Sequence, residues 1–452
     1  MNFHPPAPPR HTKPLGALGF VLTMARNPLA IWGVGAFREP IIRAEWLGVP
    51  TVIISDPAAI RHVMVENARN YGMQPLRQRV LRPILRDGLL TAEGELWRRT
   101  RKSLAPVFSP RNVAPLAKVM LDRSVLFAEG LGRRAGEIVD IAEQMTLLTF
   151  DILQATLFSG DIAGDPQEFA QATAGLLKTM GRVDPLDVLD APSYLPRLMR
   201  VLGQRQLGYF RRLIAATIER RQKLMARSPA AAPRDLLTLL LEAEGLSRSE
   251  VEDNIITFIG AGHETTARAL GWSLYLLSQA PEDRAALDAE LAAHDFDDGD
   301  PYSWPDKLPT TRAVFEEAMR LYPPAPSLNR QALGEDAVSG VTIPKGATVL
   351  VMPWILHRHE KLWDHPDAFV PSRFLPGARE AIDRYQYLPF GAGPRVCIGQ
   401  YFAMQEGVIA LAALGRALRF EFAGATPPYP VQKITVQPEG GLKMRVVARA
   451  SA

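Results

Sequence analysis

Phe390-Gly391-Ala392-Gly393-Pro394-Arg395-Val396-Cys397-Ile398-Gly399 contains the only cysteine of a 452-residue chain. A single thiol forms no internal disulfide, and a structural zinc site takes four protein ligands. The thiol lies between glycines, just ahead of an apolar stretch, Tyr401 to Leu414, that reads as a helix. Backbone N–H groups at a helix N-terminus favour thiolate over thiol, and so does a nearby arginine such as Arg395. A bare buried thiolate is costly, whereas a metal-bound one is not. Haem iron accepts one Cys thiolate as its proximal ligand, and the sulfur then pushes electron density toward O–O cleavage. The competing reading is an inert packed cysteine, which most lone cysteines are.

A second informative stretch is Ala261-Gly262-His263-Glu264-Thr265-Thr266, inside a helix expected over 249–280. Ser247 and Glu250 form a capping-box pair at its start, and Pro281 marks its end. At ~1.5 Å per residue such a helix is long enough to cross a large domain. Gly260 and Gly262 weaken its middle, so a kink or π-bulge is expected there, opening space against a flat ligand. Glu264 and Thr265 place an acid and an alcohol beside that gap. A hydroxyl can hold a water and a carboxylate can relay protons from solvent. The plainer reading is a packed helix whose Thr bonds back to a carbonyl.

Three further patterns stand out. Glu317-Ala318-Met319-Arg320 sets opposite charges three apart on an otherwise apolar helix face. Pro371-Ser372-Arg373-Phe374 follows some fifty residues on, and Trp97 and Arg101 lie four apart on a helix expected over 93–107. In Phe-x-x-Gly-x-Arg-x-Cys-x-Gly, with Phe390, Gly393, Arg395, Cys397 and Gly399 filling the fixed places, the chain resembles the cytochrome P-450 monooxygenases of the soluble bacterial type. The resemblance spans at least Trp97 to Phe402, with its four motifs in the family's order.

That resemblance implies a mainly α fold with small β-sheets (α+β), a triangular helical body with a long central helix over the haem. It implies haem b with axial Cys397 as the metal ligand, and Trp97, Arg101, Arg330 and Arg395 on the propionates. Ala261, Phe390, Gly391 and Gly399 would frame the cofactor, while Glu264 and Thr265 would be catalytic and manage protons. Glu317, Arg320 and Arg373 would be structural, locking the Cys loop. Phe258, Ala261, Ala325, Leu328 and Leu442 would line a substrate pocket, with the 72–90 loop and the 166–200 region. The implied reaction inserts one atom of O2 into a lipophilic small molecule by hydroxylation or epoxidation. No flavin or nicotinamide fingerprint is found, so electrons are expected from a separate ferredoxin- or flavodoxin-type donor with its reductase. The alternatives are a peroxide-driven oxygenase or isomerase at the same haem, and a non-catalytic haem-binding sensor.

Bulk properties agree with a globular protein. Hydrophobic residues are 47% and charged residues 22%; one cysteine points to a reducing compartment or an absence of disulfide dependence, and the expected location is cytoplasmic. A net charge of +4 is too small to argue nucleic-acid binding. The apolar run Leu15–Ala25 is shorter than the roughly 20 residues a bilayer span needs. It either docks on the body or makes weak membrane-surface contact. No convincing linker is found, so the expected organisation is a Pro-rich arm over 1–36, packed on the body, and a single haem domain over 37–452. His357, His359 and His365 have no compact zinc spacing.

A hairpin is expected at Pro40–Glu45 and Thr51–Ile54, then helices over 111–133, 138–159, 166–181, 198–226, 234–243, 281–293 and 310–322. Breaks are expected at Asp184–Pro196 and Ser228–Pro233. Strands follow at Val338–Ile343, at Thr348–Val351 and through Leu418–Val447, with a long irregular segment over His357–Pro389.

Overall fold

The computed structural model describes residues 2–46, 48–162, 198–296 and 300–449, together with Glu168 and Asp187. The expected helix over 166–181 and the break at Asp184–Pro196 otherwise lie outside the described residues, as does most of the 166–200 part of the pocket. The chain divides into two compact units. The first comprises Met1–Gly72, Ala117–Phe150 and Glu264–Ala452; the second comprises Met73–Leu116 and Asp151–His263. The sequence shows no linker for a physical reason. Three of the four crossings between the units fall inside the strand Tyr71–Met73, the helix Ile141–Phe158 and the long helix Arg248–Gln279, and the fourth joins the turn Ala114–Leu116 directly to the helix Ala117–Gly132.

The first unit is built around a five-stranded sheet in the order Ile41–Trp46, Val49–Ile54, Thr348–Val351, Leu328–Ala332, Tyr71–Met73. The hairpin pairs antiparallel, Ile41 opposite Ile54 and Trp46 opposite Val49, and Val49–Ile54 runs parallel to Thr348–Val351. Ile54, Ile60, Val349, Val351 and Leu356 form the fully buried core against this sheet. Leu328–Ala332 was not expected as a strand, because its Asn-Arg-Gln centre carries no apolar alternation and is only partly buried. The Val338–Ile343 strand is instead a small hairpin, Asp336–Val338 with Val341–Ile343. It turns at Ser339 and Gly340, both with positive φ, the backbone a two-residue hairpin demands.

The helix expected from 138 begins at Ile141, since Ile138–Asp140 is a strand beside Lys443–Ala448. Asp140 ends that strand by accepting hydrogen bonds from the Ala142 and Leu442 N–H groups. The N-terminal arm lies on the same unit. The Arg10 guanidinium grips both oxygens of Asp367 at 2.6 and 2.7 Å, and the Tyr322 hydroxyl donates to the Pro6 carbonyl.

In the second unit the stretch expected as a loop after Tyr71 contains a helix, Pro75–Leu85, stopped at Arg86 with φ 46°. Gly88 then lies so close to Thr257 and the Asp253 carbonyl that a Cβ would not fit, and the Leu89 N–H donates to Asn254. The capping box of the long helix forms in both directions, Ser247 N–H to Glu250 and Glu250 N–H to Ser247. The expected kink or π-bulge is not there. Arg248–Gln279 is one uninterrupted α-helix. Gly262 instead leaves room for Leu153, whose methyl carbons lie 3.7 and 3.8 Å from where a Cβ would stand. The glycine serves close helix approach rather than helix breaking. Among the described residues the π-turn is His62–Glu66, on the first unit.

Candidate haem-thiolate site

The loop carrying Cys397 is a tight backbone construction. Gly391 and Gly393 take φ of 74° and 71°, which suits glycine. A Cβ on Gly393 would collide with the Met64 carbonyl in the π-turn, so the loop sits directly on that turn. A Cβ on Gly391 would lie 3.8 Å from Leu328. A short turn over Gly393–Arg395 follows, and the Cys397 N–H then donates to the Phe390 carbonyl at 2.9 Å. Gly399 begins the helix Gln400–Ala417, whose Gly407 lets the Phe315 ring press against its backbone. The Cys397 side chain is exposed, while Ala392 and Phe402 on either side of it are buried. A packing cysteine is a small buried hydrophobe; this one is presented outward by a rigid frame. Arg330 lies on the same strand face as Leu328, the residue that meets Gly391.

Behind the loop, Arg320 is fully buried and all five of its N–H donors are engaged. Nε and one terminal nitrogen grip Glu317 at 2.6 and 2.8 Å. The others reach the carbonyls of His357, Pro366 and Ala368 at 2.6 to 2.8 Å. Glu317 also accepts the Val370 N–H at 2.8 Å, and Arg373 lies 3.7 Å from it. Arg373 itself donates to the His365 carbonyl. The three expected structural residues thus come together, and what they clamp is the segment from His357 to Val370. The connection to the Cys loop runs through His357, whose Nε2 accepts the Leu388 N–H at 2.8 Å.

His357 is buried, and that burial, reinforced by the Arg320 charge, holds its pKa well below the ordinary histidine value. The unfolded chain therefore binds a proton that the native protein refuses. Stability is expected to fall as pH drops below about 6.5, by up to roughly 1.4 kcal/mol per unit. His359, also lowered by burial, adds to the same slope. Urea midpoints between pH 7.5 and 5.5 check this, and His357→Gln, which keeps an acceptor for Leu388, should flatten the dependence.

On the long helix, Glu264 accepts a 2.7 Å hydrogen bond from the Thr435 hydroxyl and lies 3.5 Å from Arg268. Its neighbour Thr265 is partly buried and Ala261 exposed. His263 is buried and bonded through Nδ1 to the Ile259 carbonyl one turn back. Glu406 is buried beside the Thr266 hydroxyl, and burial pushes its carboxyl up to about 8. Neither Thr435 nor Glu406 was singled out from the sequence. Each meets its partner only through tertiary packing, and no local pattern marks it.

The remaining expected residues are divided between the units. Trp97 and Arg101 share the helix Gly94–Leu104 of the second unit. Two cations of that helix are paired, Arg98 with Glu95 at 3.0 Å and Arg99 with Glu250. Phe258 is buried in the second unit, edge-on to Phe108. Ala325 and Leu328 are partly buried in the first, and Leu442 is fully covered there. The donor chemistry, one outward thiol in a glycine-rich frame with an arginine two residues away and another on the facing strand, fits haem b.

A match to the cytochrome P-450 family covers residues 6–445. The chain belongs to the cytochrome P-450 family. It is 31% identical to cyclooctatin synthase of Streptomyces melanosporofaciens, over 96% of this chain and 94% of that one. Cytokinin hydroxylase of Arabidopsis thaliana is 29% identical, over 88% of this chain and 79% of that one. A solved cytochrome P-450 haem domain shares the fold with a TM-score of 0.79 at 24% identity, covering 100% of this chain and 99% of that one. This P-450 is a haem-thiolate oxidoreductase of the monooxygenase kind, and Cys397, its one cysteine, supplies the axial thiolate to haem b. When bound, that group supplies the site for activating dioxygen with electron density from the sulfur.

Proposed function

We propose that this P-450 inserts one atom of O2 into a C–H or C=C bond of a lipophilic small molecule, the other atom leaving as water. The observation that carries the reading is Glu264, fixed by Thr435 next to Thr265, in a chain whose single thiol is a haem ligand. Reduction of dioxygen consumes protons, and a held carboxylate beside a hydroxyl is a device for delivering them. A peroxide-driven enzyme or a haem sensor needs no such pair.

In this reading Glu264 and Thr265 are the catalytic pair. Trp97, Arg101, Arg330 and Arg395 neutralise the propionates, and Phe390, Gly391, Gly399 and Ala261 frame the macrocycle. Glu317, Arg320 and Arg373 hold the segment that leads into the Cys loop. Phe258, Ala261, Ala325, Leu328 and Leu442 offer an apolar lining, which suits a lipophilic substrate. Electrons come from a separate ferredoxin- or flavodoxin-type donor with its reductase, and the protein works in the cytoplasm.

The test is turnover with NADPH, a surrogate ferredoxin–reductase pair and isotopically labelled dioxygen, on substrates chosen by their shift of the ferric spin state. Label is expected in the product, and Glu264→Gln should lower product formation about a hundredfold or more while leaving substrate binding unchanged. Equal rates for Glu264→Gln and the parent, with product made from hydrogen peroxide alone, would overturn it.

A further inference from the structure

The π-turn His62–Glu66 continues the short helix Pro57–Arg61. The Asn67 N–H closes it by donating five residues back, to the His62 carbonyl, at 2.8 Å. Such turns are rare and gather at functional places. This one carries the Met64 carbonyl, which occupies the space where a Cβ on Gly393 would stand, four residues before Cys397. Val63 and Met64 are buried in one core cluster with Val338, Ile343, Leu388 and Ala392. In so close-packed a place the turn cannot shift without moving the Gly393 backbone.

One carboxylate fixes both ends of the turn. Asp336, on the small hairpin Asp336–Val338 with Val341–Ile343, accepts from His62 Nε2 at 2.9 Å and from the Asn67 side-chain amide at 2.9 Å. The Tyr71 hydroxyl donates to it at 2.6 Å and the Ala337 N–H at 2.8 Å. Burial by itself would raise the Asp336 carboxyl, but the Tyr71 and Asn67 donors outweigh it and hold the group down to about 2. Hydrogen bonds to such an ionised acceptor are the strong kind. The hairpin has a second anchor, the Ser339 hydroxyl donating at 2.9 Å to Asp56, which lies ahead of the turn.

From this chain of contacts we infer that Asp336 is a positioning residue for the haem thiolate. By tying His62 and Asn67 it holds the Met64 carbonyl against Gly393, and Gly393 in turn fixes where the loop presents Cys397. Asp336 acts through the turn, 61 residues away from the cysteine it places.

The thiolate bond itself is the readout. The reduced holoprotein with carbon monoxide is followed as its Soret band leaves the thiolate position. Each variant is held at the same interval below its own melting temperature, so that lost stability alone does not change the rate. The double variant His62→Ala/Asn67→Ala cuts both ties of the turn, and its conversion is expected to be at least about tenfold faster than the parent's. Asp336→Ala should match it, and Asp336→Asn, which keeps one carbonyl acceptor, should fall between. Tyr71→Phe removes the shortest bond to Asp336 from beyond the turn, and Ser339→Ala removes the hairpin's other anchor. Both should convert like the parent. Where Asp336→Ala fails to fold, the double variant decides, because His62 and Asn67 are only partly buried. A double variant that converts at the parent's rate overturns the inference. So does Tyr71→Phe or Ser339→Ala converting as fast as the double variant, since Asp336 would then be a general brace of the fold.

Discussion

Arg320→Ala is expected to give protein that holds no haem. The substitution removes five hydrogen bonds at once, and it leaves the Glu317 carboxylate fully buried with the Val370 N–H and, 3.7 Å away, Arg373 as its remaining partners. Breaking a buried pair by deleting one partner costs about 3–5 kcal/mol. That compares with a total stability of about 5–15 kcal/mol for a typical fold. The loss also has a direction. The carbonyls of His357, Pro366 and Ala368 lose their common donor, and His357 is what holds the Leu388 N–H two residues before Phe390. The Cys loop therefore loses its support from below. Arg320→Lys should rescue little, because an ammonium offers three donors without the planar fork that reaches Glu317 and three carbonyls together. Haem content per chain and the melting temperature of the purified variants are the measurements. A folded, fully haem-loaded Arg320→Ala protein would reject the structural role assigned to this residue.

Cys397→Ala is expected to abolish the haem-thiolate spectrum and all oxygenation while leaving the polypeptide folded. The two variants differ because the two side chains lie in different surroundings. Arg320 is completely buried and makes five hydrogen bonds through its side chain, whereas the backbone bond of Cys397 to Phe390 does not depend on the sulfur. No second thiol can substitute. Far-UV circular dichroism should match the parent, and the reduced protein with carbon monoxide should show its Soret band away from the thiolate position. Arg320→Ala would fail both readouts, so the pair separates loss of ligand from loss of frame. An unchanged carbon monoxide spectrum in Cys397→Ala would remove the basis for the whole functional reading.

Much of the site was legible in the chain because its pieces are local. The run from Phe390 to Gly399 specifies its own turn through glycines, and Glu317 with Arg320 is a single helical turn. The capping box at Ser247 and Glu250 is likewise local, and it forms as expected. The misreadings share a cause. Gly260 and Gly262 weaken an isolated helix, but packing of Leu153 against Gly262 overrides that intrinsic cost, so the helix stays whole. Leu328–Ala332 lacks strand patterning and becomes a strand because two neighbours supply its ladder. Pro75–Leu85 was taken for a loop although only Pro83 lies inside the helix.

The amino-acid order by itself determined the family, the metal ligand and the Glu317–Arg320 pair, since each is written within a few adjacent residues. Tertiary structure alone decided that Thr435 holds Glu264 from 171 residues away, that His357 links the clamp to the Cys loop, and that Glu406 is buried beside Thr266. Such pairings depend on which surfaces meet once the chain has folded. A linear pattern encodes the spacing of neighbours along the chain and carries no record of which distant neighbour will arrive.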